Sequence, residues 1–405
     1  MFKNLFLIYV LFAVNNLSAQ HSSDLLQLKV DVTYLASELL EGRESGARGE
    51  HLAAEYIVSR FEGLGLEQKG DSLWFQPFNF IFKPNPHADQ GEPRIGKNVI
   101  AYLDNGASTT VVIGAHYDHL GYGHFGSLYD GEPAIHNGAD DNASGVAAML
   151  LLAKKLKNSA AKNNNYLFIG FSGEEMGLYG SKYFLKNATI DTAQINYMLN
   201  MDMVGRLNKE RVLAVNGTGT SPIWAETLEK ISVGNLTNKN TESGVGPSDH
   251  TSFYFENIPA LHFFTGQHIH YHKPSDDSEL VNYQGLLDIT DYMLAIIEAL
   301  DDKGTLVFTK TKDNEDRKAA AFKVTLGVMP DYVYDGEGMR IDGVTEGRPA
   351  QLAGLEKGDI IIQMGDIAVK DIYDYMEGLS KFKKGDATKV KVLRGKKVVE
   401  KKVQF

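Results

Sequence analysis

Apolar positions recur every three to four residues across 28–40 and 49–64, with Ala53, Ala54, Ile57, Val58 and Phe61 on one face, so the chain opens with two predicted helices. Gly63 and Gly65 close the second. Residues 74–82 and 98–103 read as strands separated by a Pro/Gly loop, 84–96. From 111 to 301, continuous apolar runs alternate with helical periodicity. VVIG (111–114), YLFIGF (166–171), INYMLNM (195–201), RVLAV (211–215) and IPALHFF (258–264) are predicted strands; helices are predicted from Ser144 and over 181–185, 222–233 and 286–300. That alternation predicts an α/β fold, a mostly parallel sheet flanked by helices.

Periodicity then stops. Residues 302–321 end in KTKDNEDRKAAA, a charged stretch that reads as a linker. Beyond it, 322–405 alternate short strands with two short helices near 349–353 and 372–379, a smaller β-rich domain of ordinary module size. At the other end, Lys3, an apolar run over 5–14 and Leu17-Ser18-Ala19 read as a cleavable signal peptide, expected over 1–19. The first domain is therefore expected over 20–301 of an exported, periplasmic or extracellular chain. No other stretch is long and apolar enough to span a membrane, so no transmembrane segment is expected.

Composition narrows the chemistry. There is no cysteine, which excludes thiol catalysis and Cys-ligated zinc and leaves His, Asp and Glu to hold any metal. The formal charge is −11. Residues 322–405 hold 15 Lys and Arg against 13 Asp and Glu, so the acidic excess lies before them and argues against nucleic acid as partner.

Candidate chemistry gathers at the carboxyl ends of the predicted strands, where open α/β sheets build their sites. His116 and Asp118 follow VVIG and point to one side, so the carboxylate is placed to fix the imidazole. Asp140 and Asp141 precede a helix; one reads as a ligand, although a helix cap is the plainer role for such acids. Glu174 and Glu175 follow YLFIGF, where one can bind a metal and the other shuttle a proton. Asp202 ends INYMLNM. Five of the twelve histidines fall within 250–272, and His272 is followed by a turn whose Asp276 is placed to orient its ring. Phe253, Phe255, Phe263 and Phe264 read equally as an apolar pocket or as core. A set of carboxylates and histidines without cysteine suits two divalent ions bridged by one carboxylate, zinc first, with cobalt or manganese as substitutes.

The motifs GAHYDH (114–119), GADDNASG (138–145), FSGEEMGLYGS (171–181), NMDMVGR (200–206), SDH (248–250) and YHKPSDD (271–277) resemble those of the MH-clan zinc aminopeptidases, over roughly residues 30–300. The resemblance implies a zinc exopeptidase fold with two Zn²⁺ bridged by Asp141. It implies His116 and Asp202 on the first ion, Glu175 and His272 on the second, Glu174 as general base and Asp118 as orienter of His116. It also implies a cis peptide after Asp141, and peptide or protein N-termini as substrates. Residues 320–405 resemble a PDZ domain: TLGVMP (325–330) matches its carboxylate-binding loop and PAQLAGLEKGDIIIQMGD (349–366) its most recognisable segment. The amides of Leu326, Gly327 and Val328 would then receive peptide C-termini. Two rivals are a glutaminyl cyclase-like enzyme with a single zinc and a non-catalytic peptide-binding protein. No Gly-x-Ser-x-Gly segment supports a serine hydrolase.

Overall fold

A computed structural model describes residues 20–82, 91–129, 131–311, 324–330, 334, 336–344 and 347–405. The expected signal peptide and the later part of the expected linker, 312–321, lie outside the described residues. The chain forms two compact units, one reaching to Thr311 apart from short segments near 131 and at 266–271, which fall in the second with the C-terminal residues.

The first unit is built on one sheet. Its strands are β1 (Glu67–Gln68), β2 (Phe75–Phe82), β3 (Glu92–Leu103), β4 (Thr110–His116), β5 (Asn165–Phe171), β6 (Ile195–Met201), β7 (Val212–Asn216), β8 (Thr237–Thr241) and β9 (Ala260–Phe264). The order is β1-β3-β5-β4-β6-β9-β7-β8, with β2 on β3. The centre, β5-β4-β6-β9, is parallel, whereas β3 and β7 pair antiparallel with its outer strands. The sheet is therefore mixed around a parallel middle.

Burial explains why the middle was legible. Every residue of β4, β5 and β6 is buried, as strands covered on both faces must be. Alternate residues divide between two cores. Val111, Ile113, Phe168 and Leu199 meet the helices α2 (Arg48–Gly63), α3 (Gly145–Asn158) and α7 (Tyr283–Leu300) together with a first helix, α1, over 20–35. Val112, Leu167, Ile169 and Met198 pack with Phe184 of α4 (Tyr179–Lys186) and Phe253 of α6 (His250–Phe255). A short α5 (Ile223–Lys230) completes the flanks.

Three departures from the sequence reading have physical causes. β3 starts inside the expected loop because β2 pairs with it residue for residue, and Arg94 stacks on Phe82, 3.6 Å from the ring centroid. β8 is the polar run TNKNT, an edge strand with no buried face, so it carries no apolar signal. Residues 304–311, read as linker, are tied to the first unit: Leu306 N donates to Asn196 Oδ1 (2.8 Å), Thr309 N to Thr220 O (2.8 Å) and Thr311 Oγ1 to the Tyr254 hydroxyl (2.9 Å).

The second unit is an antiparallel sheet of β10 (Val328–Pro330), β11 (Met339–Val344), β12 (Ile360–Met364), β13 (Ile367–Ala368), β14 (Ala387–Arg394) and β15 (Lys397–Gln404). Its order is β10-β11-β12-β14-β15, with β13 on β12. Two helices, α8 (Pro349–Leu352) and α9 (Ile372–Ser380), accompany it. The core includes Leu326, Ile341, Ile361, Met364, Val390 and Val392. Leu326 is buried and its carbonyl accepts from Ala350 N (2.8 Å); Gly327 takes φ 72° and donates its amide to Thr325 Oγ1 (3.1 Å). Val328 starts the edge strand β10.

Candidate metal centre

β4 and β6 are parallel neighbours with Gly114 opposite Asn200, so the residues that end them emerge together. His116 Nε2 lies 3.3 Å from Asp202 Oδ1 and 3.4 Å from Asp141 Oδ1. Asp141 comes from the turn ahead of α3, whose buried apolar face fixes that turn against the sheet. Its other oxygen, Oδ2, is 3.1 Å from His272 Nε2, and His272 Nε2 is 3.3 Å from Glu175 Oε2. One carboxylate therefore faces two donor sets, His116 with Asp202 and His272 with Glu175.

A sixth side chain, assigned no role from the sequence, enters the second set. His119 Nδ1 lies 2.8 Å from Glu175 Oε1 and 3.8 Å from Asp141 Oδ2. His119 ends the GAHYDH motif, and one histidine among several polar residues carries no periodic signal of its own. Its burial was the missing clue: only 1% of it is exposed.

Supporting bonds fix the donors. His272, with φ 52°, sits near Gly126, whose carbonyl lies 2.8 Å from its Nδ1 and accepts from it, so Nε2 is turned toward Asp141 and Glu175. Asp276 was expected to orient that ring. Its carboxylate accepts the amides of Asp140 (2.9 Å) and Asp141 (3.1 Å), because the turn brings it under the GADDN backbone. The acidic doublet divides: Asp140 Oδ1 accepts from Gly205 N (2.6 Å) and Ser144 Oγ (3.1 Å), a structural role, while Asp141 faces the donors. Asn142, reached through a cis peptide from Asp141, donates to Met201 O (2.9 Å) and accepts from Gly145 N (3.0 Å) and Met203 N (3.1 Å). Asp118 stands beside His116 Nδ1, its carbonyl at 3.3 Å and its carboxylate at 3.7 Å. The same carboxylate accepts from Ser45 Oγ (2.8 Å) and Glu174 N (3.1 Å), so it also holds the start of the Glu174-Glu175 pair.

Beneath this layer lies Arg43, fully buried. Its guanidinium donates to the carbonyls of Tyr117 (2.8 Å), Asn137 (2.8 Å), Gly138 (2.9 Å) and Leu35, tying the β4 loop to the turn that carries Asp141. Burial lowers its pKa to about 10, against the pull of Asp141 and Asp118.

The side chains polarise one another. Burial disfavours the charged forms of His116 and His272, yet the carboxylates around them hold both well above the ordinary histidine value. Burial also opposes ionisation of Glu175, yet His272 and His119 bring it down to about 2. Glu174 goes the other way: burial, then the charges of Asp202, Glu175 and Asp249, push it well above the carboxylate range despite His116. Adjacent glutamates pushed in opposite directions are what a proton carrier beside a ligand requires. Next to Glu175 and His119, Phe82, Leu120, Phe125 and Met176 line a shallow depression of about 10 Å³. The four phenylalanines noted in the sequence are elsewhere: Phe253, Phe263 and Phe264 are buried and Phe255 is 64% exposed.

Residues 98–297 match Peptidase family M28, and 309–405 match a PDZ domain. The chain carries an M28 peptidase domain. Among curated relatives, this chain is 31% identical over 184 residues to aminopeptidase YwaD of Bacillus subtilis, an alignment covering 42% of this chain and 39% of that one. The chain spans about half or less of the length of the first curated relatives it matches. The fold is similar to BSAP, a zinc aminopeptidase from B. subtilis, with TM-score 0.55 at 19% identity, covering 72% of this chain and 96% of that one. It is also similar to Porphyromonas gingivalis glutaminyl cyclase, with TM-score 0.53 at 17% identity, covering 68% and 97%. Both structural likenesses concern the fold alone.

The donors of the M28 domain fit zinc. Four donors about 2.0 to 2.1 Å from one tetrahedral zinc stand roughly 3.3 Å apart. The contacts of His116 with Asp141 and Asp202, and of His272 with Asp141 and Glu175, fall at 3.1–3.4 Å. Among the described residues, two groups that share Asp141 have metal-holding proximity, His116/Asp141/Asp202 and His119/Asp141/Glu175. No helix among the described residues is long and apolar enough to cross a membrane.

Proposed function

We propose that this chain is an exported dinuclear zinc aminopeptidase that removes N-terminal residues from peptides. The observation that carries the reading is the Asp141 carboxylate, whose two oxygens face two separate donor sets, His116 with Asp202 and His272 with Glu175. Two zinc ions, when bound, supply Lewis acidity toward the scissile carbonyl and lower the pKa of the hydrolytic water. Glu174 takes a proton from that water on its carboxylate and returns it to the leaving nitrogen. Asp118 positions both His116 and the Glu174 amide. The flanking carboxylates suit a free ammonium terminus. The signal-like residues 1–19 support export.

In the C-terminal module, Leu326, Gly327 and Val328 are the proposed receptor for peptide C-termini. A glutaminyl cyclase-like activity on the same fold is the second reading, favoured only by the structural likeness above; the presence of both His116 and Asp202 weighs against a single-metal centre.

A panel of dipeptides with free and acetylated amines, assayed with zinc supplied, tests the proposal. Hydrolysis of the free-amine set alone is expected. Equal cleavage of acetylated peptides, or cyclisation of N-terminal glutamine without hydrolysis, would overturn it.

A further inference from the structure

We propose that His119 is a positioning residue for Glu175: its Nδ1–H holds Oε1, so that Oε2 alone faces the metal position shared with Asp141 and His272. This rests on the two-ion reading and adds a residue to it. His119 lies close enough to Asp141 and Glu175 to be a fourth ligand, and the distances decide between the roles. The contacts His272–Asp141 and His272–Glu175, at 3.1 and 3.3 Å, match the roughly 3.3 Å expected of donors sharing one zinc. His119 misses that spacing on both sides, with 2.8 Å to Glu175 Oε1 and 3.8 Å to Asp141 Oδ2. A separation of 2.8 Å is that of a charge-assisted N–H···O⁻ hydrogen bond. The two carboxylate oxygens are thereby divided between a histidine that donates a proton and a histidine that offers a lone pair.

Glu175 needs such a partner and His119 is built to stay in place. Glu175 lies on a loop two residues beyond Gly173, which takes φ 71°, and no strand pairing holds it. The His119 backbone is anchored by its amide to the Arg43 carbonyl at 3.0 Å. Its ring is wedged against the backbone of Gly138, where a Cβ would stand 2.5 Å from His119 Cδ2, and it meets the His272 ring edge-on at 5.8 Å. His119 Nε2 is buried with no hydrogen-bond partner among the described residues, so Nδ1 carries the ring's hydrogen bond, to Glu175. The arrangement mirrors the first set, where Asp118 stands behind His116: there a carboxylate supports a histidine, here a histidine supports a carboxylate.

The test uses the full chain, purified metal-free, with Co²⁺ titration followed by absorption and Zn²⁺ affinity measured by chelator competition. His119→Ala should still take up two Co²⁺ with visible bands of unchanged position and intensity, while one of its two Zn²⁺ affinities falls about 10- to 100-fold. His119→Asn, whose side-chain amide can donate from near the Nδ1 position, should recover most of that affinity. Overturning results are a changed cobalt spectrum in His119→Ala with no rescue by Asn, which would make His119 a ligand, or unchanged affinities, which would make it inert. Uptake of one Co²⁺ by the wild-type chain would instead overturn the two-ion reading itself.

Discussion

The two halves of the centre are held in different ways. His116 ends β4, and Asp202 directly follows β6, a parallel neighbour buried along its whole length, so the sheet itself fixes their separation. Glu175 and His272 sit on loops, and each depends on a tether: His119 for the glutamate and the Gly126 carbonyl for the histidine. Asp141, between them, is fixed by the Asp276 carboxylate under its amide and by the Asn142 bonds that join β6 to α3. Strand ends give position through the ladder, whereas loop ligands need side-chain supports.

The comparison can be broken most sharply at Glu174, which belongs to neither set. Glu174→Gln leaves every donor in place, so zinc content should stay at the wild-type level while kcat falls about 10²- to 10⁴-fold. Elemental analysis beside kcat on one preparation checks it; full activity would remove the proposed base. Next in size is the loop half. Glu175→Gln replaces an anionic donor by a neutral one, so one zinc should weaken by more than the about 10- to 100-fold expected for losing a supporting partner. Activity should return in part at high zinc, as read from a zinc titration of rate.

Arg43 supports both halves at once. Arg43→Ala strands four carbonyls and removes a buried cation from beside Asp141 and Asp118, so unfolding free energy in urea should drop by about 3 to 5 kcal/mol. Arg43→Lys keeps the charge but not the fork and should fall between. A pH-dependent effect is expected at Glu50. Burial, then Asp118, raise its pKa to about 8 from an ordinary 4.5, with Ser172 Oγ and Gly46 N donating to it. The folded state thus binds this proton more tightly than the unfolded chain. Its contribution is full below about pH 4.5 and is lost as pH rises through about 8. Glu50→Gln should therefore flatten the decline of urea midpoints between pH 5 and 8; identical slopes would show that Glu50 does not titrate there.

The sequence exposes the strand-borne half because its signal is local. A buried, mostly apolar strand ending in His or followed by Asp says where the side chain emerges, and β4 and β6 obey it. The parallel centre of the sheet follows from the same alternation. The supports are not local. Arg43 finds its carbonyls at Leu35, Tyr117, Asn137 and Gly138, positions that only the folded chain brings together. Asp276 lies four residues from His272 yet serves Asp141, because chain proximity does not say which way a turn aims a carboxylate. The antiparallel flanks escape for a related reason: β8 is polar on both faces, and the extension of β3 comes from pairing with β2.

The central claim, that Asp141 joins two metal sites, is tested most directly by counting. Metal-free protein titrated with Zn²⁺ against a competing chelator should bind two equivalents per chain, and Asp141→Asn should weaken both together, since each of its oxygens faces a different set. A single equivalent in the wild type, or an Asp141→Asn variant that keeps one site at full affinity, would contradict the account.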